Sequence, residues 1–180
     1  LGVGGYASGP FVLMAALLGY RSVIWEPSAF PGMANRLLAR FVDQCLVVFA
    51  EARQHFRSRN VISVPMPVRK EIENVSSQSS TDSPFRILLF GGSQGARPLN
   101  NALSAAVMQS QDWMQGIEIV HQVGSNDFAR IQKIYSSIPG LGAKLQVYEY
   151  LHDMPARYVW AHLVISRAGT GTISELAACG

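Results

Sequence analysis

Apolar and polar positions along this chain alternate in two rhythms. Short apolar runs, as long as strands, are followed by stretches with apolar residues at helical spacing. Before residue 75 the pattern predicts a glycine loop entering a helix over 10–18, strand 22–26, helix 32–42, strand 45–49, helix 51–57 and strand 61–64. After residue 84 it restarts with strand 86–90 and helix 97–109, where Leu99, Ala102, Leu103, Ala106 and Val107 share a face. Strand 117–122, helix 125–137, strand 145–149, helix 153–161, strand 163–166 and a helix from about 172 come next. Between the two series, residues 75–84 (Val75 to Pro84) are polar, lack periodicity and end in proline, the signature of a linker. Such alternation implies an α/β fold, a parallel sheet with helices on both faces. It divides into two Rossmann-like domains, 1–74 and 85–180. Leu1-Gly2 enters a glycine loop with no strand before it, and Gly180 stops at a helix end. Both ends therefore predict an internal segment, with the first domain incomplete and the second truncated.

In sheets of this kind ligands sit at the carboxyl ends of the strands, and three glycine-rich turns fall there. The first is Gly2-Val-Gly-Gly-Tyr-Ala-Ser-Gly-Pro10. The second, Gly91-Gly-Ser-Gln-Gly-Ala-Arg97, links the strand ending at Phe90 to a helix, and Ser93 and Gln94 add a hydroxyl and an amide. Small residues let the backbone approach a phosphate, and unpaired N–H groups of the first helical turn point at it. The spacing is neither G-x-G-x-x-G nor a P-loop with its lysine. The third is Arg167-Ala-Gly-Thr-Gly-Thr-Ile-Ser-Glu175. Glu175 suits two neighbouring ribose hydroxyls, or else closes a capping box with Thr172. Arg69, after Pro65-Met-Pro-Val68, suits a diphosphate or an exposed surface. His121 and Gln122 end a strand at the same edge, where His121 is catalytic or structural.

Composition narrows the reading. The chain has 180 residues, 48% hydrophobic and 15% charged, enough apolar material for sizeable cores. A net charge of +3 is scattered, with one cluster at Arg53, His55, Arg57 and Arg59. That cluster fits a solvated helix end or a contact with anionic lipid. No basic stripe with interleaved aromatics is present, so nucleic acid is not an expected partner. Cys45 and Cys179 match no metal spacing, and there is no D-x-D pair or G-x-S-x-G elbow, so neither a metal nor another cofactor is expected. The longest apolar run, Phe11 to Leu18, is well short of the about 20 residues of a membrane span.

The three glycine loops occur in order with Asn35-Arg-Leu-Leu-Ala39 and Pro67-Val-Arg69, and this ordered set resembles the MurG-type transferases of glycosyltransferase family 28. These add N-acetylglucosamine to lipid I in peptidoglycan synthesis. The resemblance covers the whole chain. It implies the GT-B architecture, no metal, UDP-N-acetylglucosamine as donor, a lipid-linked muramoyl-peptide acceptor, and peripheral attachment at the cytoplasmic face of the bacterial inner membrane. It places Arg69, Gly92, Ser93, Gln94, Gly95, Gly169, Thr170 and Glu175 on the donor, with a Leu151 backbone group against uracil. Gly4, Gly5, Tyr6 and Ser8 fall on the acceptor side. The family's usual His-Glu-x-Asn reads Trp25-Glu-Pro-Ser28 here, which leaves Ser28 as a donor contact and Glu26 as the candidate base. A non-catalytic nucleotide-sugar-binding or membrane-recruiting subunit, and a UDP-N-acetylglucosamine epimerase, are the alternatives on the same fold.

Overall fold

The computed structural model describes residues 1–57, 60–73 and 84–180. The chain forms two compact units, Leu1–Pro67 and Val68–Gly180. Residues 75–83 of the expected linker, and Arg59 of the basic cluster, lie outside the described residues.

In the first unit, helix α1 (Ser8–Leu17) precedes strand β1 (Val23–Glu26), α2 (Met33–Leu38), β2 (Gln44–Val47) and β3 (Val61–Ser63). The sheet is parallel in the order β1-β2-β3, and Gly2 bridges to Ile24 in the same sense. Ile24, Cys45 and Val47 are fully buried beneath Leu38 and Ala39 of the second helical segment. Two expectations are corrected. The helix expected over 32–42 ends at Leu38, and the one expected over 51–57 is a 3-10 segment, Ala50–His55.

The second unit opens with a short helix α3 (Lys70–Glu73) that the pattern did not show. Its Ile72 is fully buried in the second unit's core, among residues of the later strands and helices. Then come β4 (Phe85–Phe90), α4 (Arg97–Gln109), β5 (Ile117–Gln122), α5 (Ser125–Ser136), β6 (Leu145–Tyr148), α6 (Met154–Trp160), β7 (Leu163–Ser166) and α7 (Thr170–Cys179). All pairings are parallel, in the order β6-β5-β4-β7. Alternation along the strands sends Leu88, Phe90 and Val120 to one core, and Ile119 with the half-buried Ile87 to the other. After β6 the chain returns to the far side of β4. The switch point, where such sheets bind ligands, thus lies at the ends of β4 and β7, where the second and third glycine loops begin.

A buried polar network ties α4, β5 and α5 together. Asn100 Nδ2 donates to Val123 O (3.0 Å) and to Asp127 Oδ2 (2.9 Å), so its Oδ1 must accept, from His121 Nε2 at 3.1 Å. That fixes the neutral tautomer of His121, whose Nδ1 accepts from the Tyr135 hydroxyl at 2.9 Å. His121 is fully buried with both ring nitrogens engaged, so it is structural rather than catalytic.

Burial holds the His121 pKa down at about 4, against 6.5 for an ordinary imidazole. The unfolded chain therefore takes up the proton first. Stability from this group is complete above the unfolded value and is lost as pH falls from 6.5 toward 4. The loss is on the order of 3 kcal/mol. Urea midpoints should fall across that window for the wild type and stay flat for His121→Gln, which keeps a donor and an acceptor without titrating. A flat wild-type profile would show that His121 is not buried neutral.

Candidate functional site

At the switch point, a cavity of about 220 Å³ is lined by Arg69, Gly92, Ser93, Gln122, Leu151, Tyr158, Gly171, Thr172 and Glu175, with Phe90, Tyr150 and Met154. Each part arises from local structure. Gly92 has φ +82°, a left-handed conformation that glycine adopts without strain, and Gln122 Nε2 donates to its carbonyl at 3.0 Å. Ser93 is exposed beside it. Leu151, just after the β6 segment, is buried and brings that stretch of chain into the lining. The α7 helix starts at Thr170 after Gly169, and no side chain caps it, so its first N–H groups are open to a ligand.

Glu175 lies in the second turn of α7. Its Oε2 accepts from the Tyr158 hydroxyl at 2.9 Å, and its Oε1 is 3.7 Å from Arg69 Nε. Since the helix begins at Thr170, Glu175 is not the partner of Thr172 in a capping box. The carboxylate faces the cavity instead. Tyr158 is buried, and burial, followed by the bond to Glu175, pushes its hydroxyl above the usual phenol range. It therefore stays protonated and donates. Sequence reasoning missed Tyr158, although a tyrosine on the buried face of a helix must find a partner for its hydroxyl. Arg69 belongs to the second unit and is more than half exposed.

Ser93 and Gln94, grouped by the sequence at one diphosphate, face different cavities. Gln94 and Gly95 line a separate one. Gly169 and Thr170 adjoin the Glu175 cavity at the start of α7, but do not line it.

In the first unit, Gly4, Gly5, Tyr6, Glu26, Ser28, Phe30 and Met33 are among the residues lining a cavity of about 420 Å³. Ser8 does not line it, but its hydroxyl donates to Gly4 O at 2.7 Å and braces the loop. Glu26 is buried and accepts from Ser28 N (3.1 Å), Gly32 N (3.0 Å) and Asn35 Nδ2 (3.0 Å). Both of its oxygens thus pin the turn after β1 to α2, and the geometry gives it a structural role rather than that of a base. Ser28 likewise meets Glu26 through its backbone. Asn35 Nδ2 also bonds Trp25 O, and its buried Oδ1 has no partner among the described residues.

The family described as glycosyltransferase family 28 C-terminal domain matches residues 86–180. Over all 180 residues the chain is 48% identical to the UDP-N-acetylglucosamine–N-acetylmuramyl-(pentapeptide) pyrophosphoryl-undecaprenol N-acetylglucosamine transferase of Bdellovibrio bacteriovorus. It is 42% identical over 185 aligned residues to the protein of the same description from Citrifermentans bemidjiense. All of the chain and 50% of each relative are covered, so the chain spans about half the length of the curated relatives it matches. The crystal structure of Acinetobacter baumannii MurG superimposes with a TM-score of 0.70 at 32% identity, over 98% of this chain and 48% of that one. The fold is therefore the α/β, GT-B type that the sequence implied. The chain belongs to glycosyltransferase family 28 and carries that family's C-terminal domain over residues 86–180.

Proposed function

We propose that the protein is an inverting, metal-independent glycosyltransferase that moves N-acetylglucosamine from UDP-N-acetylglucosamine to lipid I, forming lipid II. The observation that carries the reading is the Glu175 cavity. One carboxylate, one exposed guanidinium, an uncapped helix start and a glycine turn converge at the switch point of a parallel sheet. The carboxylate suits the ribose hydroxyls, and Leu151 offers backbone groups to the base. Arg69, the Gly92–Ser93 turn and the start of α7 suit the diphosphate. As the acceptor hydroxyl attacks the anomeric carbon from the face opposite UDP, negative charge grows on the departing diphosphate. Fixed N–H dipoles and a guanidinium stabilise it there without reorganising. Relatives described as transferases acting on a pyrophosphoryl-undecaprenol support the lipid-linked acceptor.

Attachment to the cytoplasmic face of the bacterial inner membrane, through its anionic surface, belongs to the same reading. Among the described residues no helix is long and apolar enough to cross a membrane. Yet α1 is apolar all round, with Phe11, Met14, Leu17 and Leu18 exposed, while α2, which packs beside it, exposes Met33 and Leu37. Leu13, on the same helix, packs partly against the core. Between Leu1 and Val42, Glu26 is the one acidic residue and is buried, whereas Arg21, Arg36 and Arg40 are exposed. An exposed apolar face in a segment whose exposed charges are all cationic suits an anionic bilayer surface.

Two measurements check these readings. Glu175→Ala should weaken UDP binding by roughly tenfold or more, because a hydrogen bond to a charged group is worth about 1.5–3 kcal/mol, and Glu175→Gln should weaken it less. The wild type should prefer UDP to 2′-deoxy-UDP, and the Ala variant should lose that preference. Tyr158→Phe, which keeps the ring, should lose part of both. Unchanged nucleotide affinity in folded variants would remove Glu175 from the site. Separately, sedimentation with phosphatidylglycerol vesicles should exceed that with phosphatidylcholine at low salt, and should fall in a Phe11→Ser, Leu17→Ser variant and in high salt. No lipid preference would return the patch to an ordinary protein surface.

A further inference from the structure

The loop that supplies Gly92 and Ser93 to the Glu175 cavity has a second side. There Gln94 and Gly95 help to line a larger cavity of about 490 Å³ at the starts of α4 and α5. The two cavities share no lining residue. We propose that this second cavity is an oxyanion site for a phosphate-bearing ligand, able to fill while the Glu175 cavity is occupied.

Three arginines remote in sequence meet there: Arg97 after the glycine turn, Arg130 on α5 and Arg167 after β7. The single carboxylate in the lining, Asp127, is already committed. It accepts from Arg130 Nε at 3.0 Å and from Asn100 Nδ2 at 2.9 Å, and Arg130 Nη2 is further anchored on Asn101 Oδ1 at 2.8 Å. Those bonds, Arg130's first, hold the Asp127 carboxyl below the usual carboxylate range, and the Arg97 charge adds to them. Asp127 thus offsets Arg130, and Arg97 and Arg167 form no ion pair among the described residues. The mouth of the cavity is left with uncompensated positive charge.

The floor is built rather than incidental. Asn100 and Asp127 are both more than nine-tenths buried and belong to the His121–Tyr135 network, so the sheet itself holds the wall. Gln94 and Asn126 bring side-chain amides, and Val123 is the one apolar side chain in the lining. That lining has little to offer an apolar ligand. Guanidinium groups present paired N–H donors that match phosphate oxygens, and two of them with amide neighbours suit a phosphate or diphosphate. The helix starts, neither capped by a side chain, add to that field without being needed for the argument. A diphosphate carried on a lipid and a free phosphate share this chemistry.

The test is calorimetry of the full chain with inorganic pyrophosphate, in the absence and presence of saturating UDP. Pyrophosphate should still bind under saturating UDP, and in Arg97→Gln, Arg167→Gln that binding should weaken by about tenfold or more. Arg69→Gln should leave it intact, and UDP affinity should change little in Arg97→Gln alone, since Arg167 and not Arg97 lies against Gly92 of the donor turn. Vesicles of phosphatidylglycerol in phosphatidylcholine separate the sources. Weaker sedimentation of the double variant marks a lipid-borne phosphate, and unchanged sedimentation with lost pyrophosphate binding marks a soluble one. Pyrophosphate displaced stoichiometrically by UDP, or bound equally well by the folded double variant, overturns the proposal. Loss of UDP binding in Glu175→Ala bears on the donor cavity alone and leaves this test untouched.

Discussion

The second unit is organised by the contact of two backbones at the carboxyl edge of its sheet. The turn after β4 lies directly on the turn after β5. A Cβ on Gly95 would sit 1.9 Å from Val123 O, and one on Gly124 would sit 2.3 Å from Gln94 O. Both glycines also have positive φ, +76° and +80°. No larger residue fits either place, in space or in conformation. Because the turns touch, the β4 turn is held up against the ligand edge, with one half facing the Glu175 cavity and the other facing the arginines. Asn100 closes the arrangement from below by donating to the same Val123 carbonyl.

Rigid and adjustable parts are divided within the Glu175 cavity. Tyr158 is buried and ties down one carboxylate oxygen at 2.9 Å. Arg69 faces the other oxygen at 3.7 Å with 56% of its side chain exposed. An ion pair at that distance whose cation is largely solvated contributes little to stability, so Arg69 can leave Glu175 at small cost when an anion offers better geometry. The carboxylate cannot follow it without breaking a buried hydrogen bond. This asymmetry suits the function proposed above, which would use a fixed acceptor for neutral hydroxyls and a movable cation for charge that grows during reaction.

Much of this was legible in the sequence because strand and helix periods are local properties. β5 and β7 run over the residues that alternation predicts, 117–122 and 163–166, and α4 starts where Pro98 fits a first turn. The short elements were less legible. The segment 50–55 has too few residues for periodicity to separate an α-helix from a 3-10 turn, and α3 is a single turn whose burial depends on tertiary packing. Within the site, the glycine loops announce themselves by composition, but composition does not say which side of a loop a residue faces. Ser93 and Gln94 part company for that reason. Glu26 is the reverse case, a carboxylate in a suggestive place whose oxygens are taken up by backbone donors that sequence alone does not reveal.

The same logic explains why the polar core of this unit is neutral apart from one carboxylate. His121, Tyr135 and Asn100 form a chain in which each proton has one direction to go, ending on Asp127, and the charge there is met by Arg130 at the rim. Burying a neutral network costs far less than burying separated ions, because each group exchanges water for a partner of comparable strength. The carboxyl edge of the sheet is thereby stiffened by a network that holds no cation in its interior, with Arg130 meeting Asp127 at the rim. Arg69, Arg97 and Arg167 stand exposed around the glycine turns, where solvent is displaced only when an anion arrives. On the readings proposed above, these cations would be desolvated at the moment of binding rather than during folding, and the energy of each contact would go into ligand affinity instead of into holding the fold together.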